Sequence, residues 1–213
     1  MIRAITAFYK KRVYPVLMES SLKSKKVTLL RKATLLSAHG NILEIGFGTG
    51  LNVLCYPKEV KKITAIDIIP SMKDFLLKKA EGRDLEIEIH NMSAEDLEFE
   101  DKSFDCIVST FTLCSIPHPD RALAEFKRVL KPEGRFLFLE HGANPNKAIR
   151  VLQNLTNPLF NVFACGCNVN REIKNIIVDS GFQLDELETV NMMPPISGYT
   201  YRGTATIIME RGE

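Results

Sequence analysis

The sequence predicts an α/β fold, a doubly wound and mostly parallel seven-stranded sheet with an antiparallel edge strand. Three observations carry this. Short apolar runs alternate with amphipathic stretches between about residues 41 and 140, one such run leads into the alternating glycines Gly46, Gly48 and Gly50, and two further strand candidates close the chain.

Taken in order, Lys25 to Ala38 has helical spacing and Gly40 stops it. Asn41–Ile45, Ile63–Asp67, Leu85–Ile89, Phe104–Ser109 and Arg135–Glu140 then read as strands, because unbroken apolar runs suit a sheet covered on both faces. Between them Leu51–Cys55, Ser71–Ala80 and Asp120–Leu130 read as helices, the last ended by the Pro132 to Gly134 turn. Right-handed crossovers make such strands parallel. Arg171–Asp179 is a further helix closed by Gly181, and Leu184–Val190 and Thr204–Glu210 are strands joined by a Pro194–Gly198 loop, suited to antiparallel pairing at a sheet edge.

One domain over residues 1–213 is expected, with a basic helical segment or lid at 1–39 and a cap insertion at 142–170. The cap's Leu152, Leu155, Leu159, Phe160 and Phe163 share helical spacing, and the expectation is an apolar wall facing a ligand, or else core packing.

With 213 residues, 45% of them hydrophobic, the chain can bury one sizeable core. Its five cysteines have no paired framework, which points to a reducing, cytoplasmic setting. The net charge of +2 is unevenly spread: residues 1–32 carry nine Lys/Arg against Glu19 alone, leaving the remainder at −6. Ile2, Ile5, Phe8 and Tyr9 recur at helical spacing beside Lys10, Lys11 and Arg12, the pattern of a basic amphipathic helix. Such a helix is either a lid with a solvated face or a peripheral contact with an anionic membrane. No export or membrane-spanning segment is expected. The near-neutral charge and the lack of an aromatic and basic stripe disfavour a nucleic acid partner.

The strongest chemical signal is Leu43-Glu44-Ile45-Gly46-Phe47-Gly48-Thr49-Gly50, a strand running through an acid into a glycine turn. Glycines there allow a tight turn and let a ligand approach the backbone without meeting a Cβ. Nicotinamide and flavin enzymes use a similar turn, but with G-x-G-x-x-G spacing; G-x-G-x-G behind Glu44 suits a ligand with an ammonium group and no pyrophosphate. Asp67, ending its strand, can accept both hydroxyls of a ribose. Ser93-Ala94-Glu95-Asp96-Leu97 followed by Ser103-Phe104-Asp105 is the third signal, and Leu130-Lys131-Pro132-Glu133-Gly134-Arg135 is the fourth.

On these four ordered motifs the stretch from Gly40 to Glu140 resembles the class I S-adenosylmethionine-dependent methyltransferases, in the branch with the ubiquinone and menaquinone C-methyltransferases. The resemblance implies that Gly46, Phe47, Gly48 and Gly50 wrap the methionine part of S-adenosyl-L-methionine and that Glu44 supports that loop or the ammonium site. It further implies that Asp67 holds the ribose, Ile68 and Met72 flank the adenine, and Ser93, Ala94 and Glu95 lie at its edge. Thr110 and Phe111 fall near the sulfonium. Ser93 stands where the branch commonly has aspartate. A narrower resemblance, through Cys55-Tyr56-Pro57, Thr112-Leu113-Cys114-Ser115-Ile116, Phe138-Leu139-Glu140-His141, Gly166-Cys167-Asn168 with Arg171-Glu172, and Gly198-Tyr199, is to the small membrane-associated alkyl-thiol methyltransferases. Those proteins carry an apolar N-terminal anchor for which no counterpart is expected here.

Methyl transfer from a sulfonium is an in-line displacement, so alignment and a dry pocket supply much of the catalysis. A small hydrophobic or lipid-like acceptor is expected, a thiol first, because a thiol supplies some thiolate at neutral pH without a dedicated base. Quinone precursors and aminophospholipids are the alternatives, and His141, directly after the fifth strand, is the best-placed catalytic base. Two readings from other classes are an NAD-dependent oxidoreductase and a cofactor-binding protein without catalysis. No metal is expected, since Cys165 and Cys167 form one isolated pair with no second Cys/His pair at zinc spacing.

Overall fold

A computed structural model describes residues 8–192, 194, 196–197 and 199–208. Its centre is a seven-stranded sheet in the order β3-β2-β1-β4-β5-β7-β6, with β1 Ile42–Ile45, β2 Lys62–Ile66, β3 Glu86–His90, β4 Phe104–Thr110, β5 Leu130–His141, β6 Phe182–Asn191 and β7 Tyr199–Ile207. β1 pairs parallel with both β2 and β4, so the strand order reverses there and leaves a crevice beyond the carboxyl ends. The one reversed strand is β7, which pairs antiparallel with β5 on one side and with the edge strand β6 on the other.

The strands of the middle are buried on both faces, as their apolar runs require. Leu43, Ile45, Ile107, Phe136 and Phe138 pack on one side with Phe126 and Phe182, while Ile42, Ile63, Cys106, Val108 and Leu137 pack on the other with Leu35 and Tyr56. Helices cover both: α1 Tyr14–Leu22, α2 Lys25–Leu35, α3 Lys73–Ala80, α4 Pro119–Val129, α5 Lys147–Phe163 and α6 Ile173–Asp179. Ser24 caps α2 by accepting from the Val27 N–H. In α4, Ala122, Leu123, Phe126 and Val129 recur at three- and four-residue spacing and are all buried.

Several boundaries differ from the sequence expectation. Leu51–Cys55 is a run of turns and not a helix, because Gly50 and Pro57 bracket too few residues for a helix to propagate. β5 starts at Leu130 and carries the Lys131 to Gly134 stretch within it, accommodated by a register shift between Phe104 and Cys106 on β4. β7 begins five residues earlier than expected; Glu210, its expected end, and Gly198 lie outside the described residues, as do Ile2 and Ile5 of the basic segment.

Tyr9–Val13 forms a π-helical turn that leads into α1. Tyr14 and Met18 of α1 reach over the crevice, and Lys79 of α3 pairs with Glu19 at 2.9 Å. The side chains of α5 depart from the sequence expectation. Leu152, Leu155, Leu159 and Phe163 are exposed, the last three by more than 60%, and so form neither a ligand-facing wall nor core. The inward side of α5 is polar: Gln153, fully buried, accepts from the Asn144 N–H and donates to the carbonyls of Gly142, Val169 and Ile196. Phe160 alone of the five leans inward, packed beside Cys114, Cys167 and Val169. Among the described residues no helix is long and apolar enough to cross a membrane.

Candidate active site

The crevice at the strand-order reversal collects residues from every motif. Gly46, Gly48, Asp67, Ile68, Met72, Ser93, Ala94, Glu95 and Phe111 line it, joined by Tyr14 and Met18 from α1 and by Thr112, Ser115 and Cys165. Glu44, Phe47, Gly50 and Thr110 stand behind this lining. Gly46 has φ +67°, and a Cβ there would strike the Thr112 side chain; Gly50 has φ +77°, and a Cβ would sit 2.7 Å from Leu76 Cα. Glycine is therefore required at both, by conformation and by close approach alike. Phe47 packs with Tyr14, Val53, Met72 and Leu76, holding the loop to α1 and to α3.

Asp67 is fixed by the backbone it serves. Its Oδ2 accepts from the Gly48 N–H at 2.9 Å and its Oδ1 from the Ile69 N–H at 2.8 Å, so the carboxylate ties the glycine loop to the end of β2. Burial pushes its pKa above the usual aspartate range, and these N–H groups pull it part of the way back. Ser93 accepts from the Glu95 N–H, and Glu95 from the His118 N–H, so the loop after β3 is braced by its own side chains.

Beneath the loop lies a polar network that sequence reading missed. Glu44, 1% exposed, accepts from Tyr56 Oη at 2.9 Å and Asn52 Nδ2 at 3.0 Å. Arg31, 5% exposed, donates from Nη1 to Asn52 Oδ1 and Thr110 Oγ1, and its guanidinium lies 5.1 Å from the Phe111 ring centre. Its basic character on α2 was legible, but nothing in the sequence said that it turns inward. Arg31 Nε has no hydrogen-bond partner among the described residues, an unmet donor beside Phe111. Phe111 itself is held at φ +55°, a strained conformation for an aromatic residue at a site.

Burial pushes the Glu44 carboxyl up to about 7 against the pull of Tyr56, Asn52 and Arg31. The folded chain thus binds this proton more tightly than the unfolded chain, whose value is 4.5. Glu44's contribution is complete below pH 4.5 and is lost as pH rises through about 7, a component of about 3 kcal/mol. Glu44→Gln is expected to flatten that part of the stability profile in urea unfolding, whatever its absolute cost. An unchanged slope between pH 4.5 and 7 would show that the carboxyl does not titrate there.

The turn after β4 is organised by Glu140 on β5. This fully buried carboxylate accepts from Ser109 Oγ at 2.7 Å and from the N–H groups of Thr112, Leu113 and Cys114 at 3.1, 3.0 and 3.3 Å. The next residue, His141, stacks tilted against Phe111 at 4.6 Å between ring centres, and its Nδ1 lies 3.9 Å from Cys167 Sγ. Cys167 Sγ is 3.6 Å from Cys114 Sγ. His141 and the donor crevice thus share the Phe111 ring as a common wall.

The cradle fits the donor expected from the sequence. Glycines clear the loop, Asp67 offers oxygens beside it, Ile68 and Met72 give an apolar bed, and Arg31 Nε is an unpaired cationic donor suited to a carboxylate. A family described as methyltransferase domain matches residues 43–138. Thiol S-methyltransferase TMT1B of Rattus norvegicus is 34% identical over 78% of this chain and 71% of its own length. Phosphatidylethanolamine N-methyltransferase of Cereibacter sphaeroides is 29% identical over 73% of this chain and 75% of its own. Among solved structures, an S-adenosylmethionine-dependent methyltransferase from Methanosarcina mazei superposes with a TM-score of 0.63 at 22% identity, over 84% of this chain and 97% of that one.

Proposed function

The chain belongs to the S-adenosylmethionine-dependent methyltransferases, and from that premise we propose that it methylates a small hydrophobic thiol. The observation that carries this reading is the similarity to a thiol S-methyltransferase over 174 residues, far more than the 43–138 stretch that makes the donor half. It therefore includes residues that bear on the acceptor.

The bound donor supplies an electrophilic methyl group on a sulfonium. The chain's own residues do the rest. Asp67 takes the ribose hydroxyls with the lone pairs that Gly48 and Ile69 leave over, Ile68, Met72, Ser93, Ala94 and Glu95 bed the adenine, and Arg31 Nε meets the carboxylate. Glu44 acts from behind, fixing Asn52 and Tyr56 under the glycine loop. Phe111, Tyr14 and Met18 exclude water from the transfer position. His141, across Phe111, is the imidazole on the acceptor side.

Supply of an apolar acceptor from a membrane surface is part of the same reading. Phe8, Val16 and Leu17 are exposed near the basic Lys11 and Arg12, and Leu155, Leu159 and Val162 are exposed on α5. The two regions are joined where Tyr9 Oη donates to the Phe163 carbonyl. Their inward sides form the lid and cap; their outward sides suit lipid.

The test is incubation with labelled methyl donor and a panel of alkyl thiols, quinol precursors and aminophospholipids, with and without anionic vesicles. Labelled thioether is expected as the main product, and the protein is expected to sediment with anionic vesicles at low salt and less at high salt. Turnover of a quinol or an aminolipid with none of any thiol would overturn the acceptor assignment. Indifference to anionic vesicles would reduce α1 to a lid.

A further inference from the structure

We infer that Cys114, His141 and Cys167 form a three-ligand site for one zinc-class divalent ion, whose open fourth position takes the acceptor's thiolate. The second half of this rests on the thiol reading above; the first half does not.

The geometry is that of a tetrahedral site before its ion. With zinc–sulfur bonds of about 2.3 Å and a zinc–nitrogen bond of about 2.0–2.1 Å, tetrahedral angles put two sulfurs about 3.8 Å apart and a sulfur and a nitrogen about 3.6 Å apart. The two cysteine sulfurs stand at 3.6 Å, Cys167 Sγ and His141 Nδ1 at 3.9 Å, and all three ligand atoms fall within 4.8 Å of one another. Drawing the ligand atoms together by up to about 1.2 Å completes the site. Two thiolates and an imidazole are a ligand set that favours zinc over calcium or magnesium.

The three groups come from separate parts of the chain, and backbone contacts between their neighbours hold them together. Cys114 is fixed through its N–H on Glu140 and through its carbonyl, which accepts from Asn168 N at 2.9 Å. His141 ends β5 against Phe111. Cys167 follows Gly166, whose φ of +106° and approach to the Ser115 carbonyl bring the segment after α5 against the turn after β4. Glu140, the nearest carboxylate, is already engaged by Ser109 and three N–H groups and is not free to be a fourth ligand. Three protein ligands with a vacant fourth position is the composition of a reactive zinc site, whereas purely structural sites are filled by four.

In that position an acceptor thiol loses its proton to water on binding as thiolate. Its sulfur lone pair forms the new carbon–sulfur bond as the donor's sulfonium–methyl bond breaks, with that electron pair passing to the donor sulfur. The neutral thioether is a poor ligand and leaves. His141 is then a ligand, and the proton loss that a base would have driven is driven by the ion.

The full chain, purified under reducing conditions and freed of metal, would be titrated with Zn²⁺ and separately with Co²⁺, whose thiolate charge-transfer and visible bands report tetrahedral sulfur coordination. One equivalent is expected to bind, with loss of the bands in Cys114→Ser and in Cys167→Ser while donor affinity, which certifies the fold, is retained. Should either variant fail to fold, chelation of the wild-type chain gives the second measurement: at least a tenfold fall in thiol turnover, restored by Zn²⁺, with donor affinity unchanged. Absence of stoichiometric binding, or cobalt bands that survive in Cys114→Ser/Cys167→Ser, would overturn the site. A cobalt spectrum that shifts on adding thiol supports the open position. A bound ion blind to thiol, with turnover indifferent to chelation, would overturn its role and leave the thiol reading standing. Metal binding with no thiol turned over would overturn that reading and leave the site.

Discussion

Glu140→Ala is expected to lower unfolding free energy by about 3–5 kcal/mol, the largest single-residue stability loss at this site. The reason is accounting of donors. Alanine leaves one hydroxyl and three backbone N–H groups facing a cavity, at a position with no exposure to water. Each buried, unmet donor costs roughly 1–3 kcal/mol, softened where the turn relaxes. For a chain of this length the melting temperature should fall by roughly 10 °C. Glu140→Gln separates charge from geometry: its oxygen can keep Ser109, Thr112 and Leu113 at the Oε1 position, while its amide meets the Cys114 N–H. A smaller loss, about 1–2 kcal/mol, is expected for it. Equal melting temperatures for wild type and Glu140→Ala would show that the turn after β4 is held by something else. Because that turn carries Thr112 and Ser115 of the crevice, donor affinity is expected to fall with stability.

Why Glu140 escaped the sequence reading is instructive. It was legible as the end of a strand, and its neighbour His141 drew attention because imidazole has an obvious chemistry. Its own role is to receive bonds from residues 26 to 31 positions earlier, and no local pattern encodes that. The same holds for Cys114, His141 and Cys167. Read along the chain, Cys165 and Cys167 were an isolated pair; the fold instead sets Cys167 beside Cys114, 53 residues away. Local geometry was readable where the backbone turns tightly, as at Gly46 to Gly50, since conformation and close approach are both coded in adjacent residues.

Periodicity had a parallel limit. In α4 the apolar spacing and the burial coincide, because the helix packs on Phe136 and Phe182 of the sheet. In α5 the spacing found the right set of residues and the wrong direction: a period of 3.6 says which side chains share a face, and only tertiary contacts say what that face meets. Gln153 and its four hydrogen bonds decide the matter from the opposite side. The short Leu51–Cys55 stretch failed for a related reason. Apolar residues there do pack, but Asn52 is committed by its side chain to Glu44, Arg31 and Thr110, and the backbone turns to suit it.

Asp67→Ala is expected to weaken binding of S-adenosylmethionine by about 2–3 kcal/mol, roughly 30- to 150-fold. Two effects combine. The ribose hydroxyls lose a charged acceptor, and hydrogen bonds to charged groups are each worth about 1.5–3 kcal/mol. The Gly48 and Ile69 N–H groups also lose the oxygens that hold them, so the glycine loop is released from the end of β2. Asp67→Asn tells these apart. The amide retains one acceptor oxygen and replaces the other with a donor, which meets the N–H of Gly48 or of Ile69 whichever way it turns. If the ribose contact dominates, Asn should lose nearly as much affinity as Ala, because the charged acceptor is gone, while keeping more of the stability, because its one oxygen still meets one of the two backbone N–H groups that Ala leaves unmet. If loop anchoring dominates, affinity and stability should fall together in both variants. Calorimetric titration with the donor, beside urea unfolding of the free protein, reads the two axes separately. Unchanged donor affinity in Asp67→Ala would remove Asp67 from the site and leave it as a tie between β2 and the glycine loop alone.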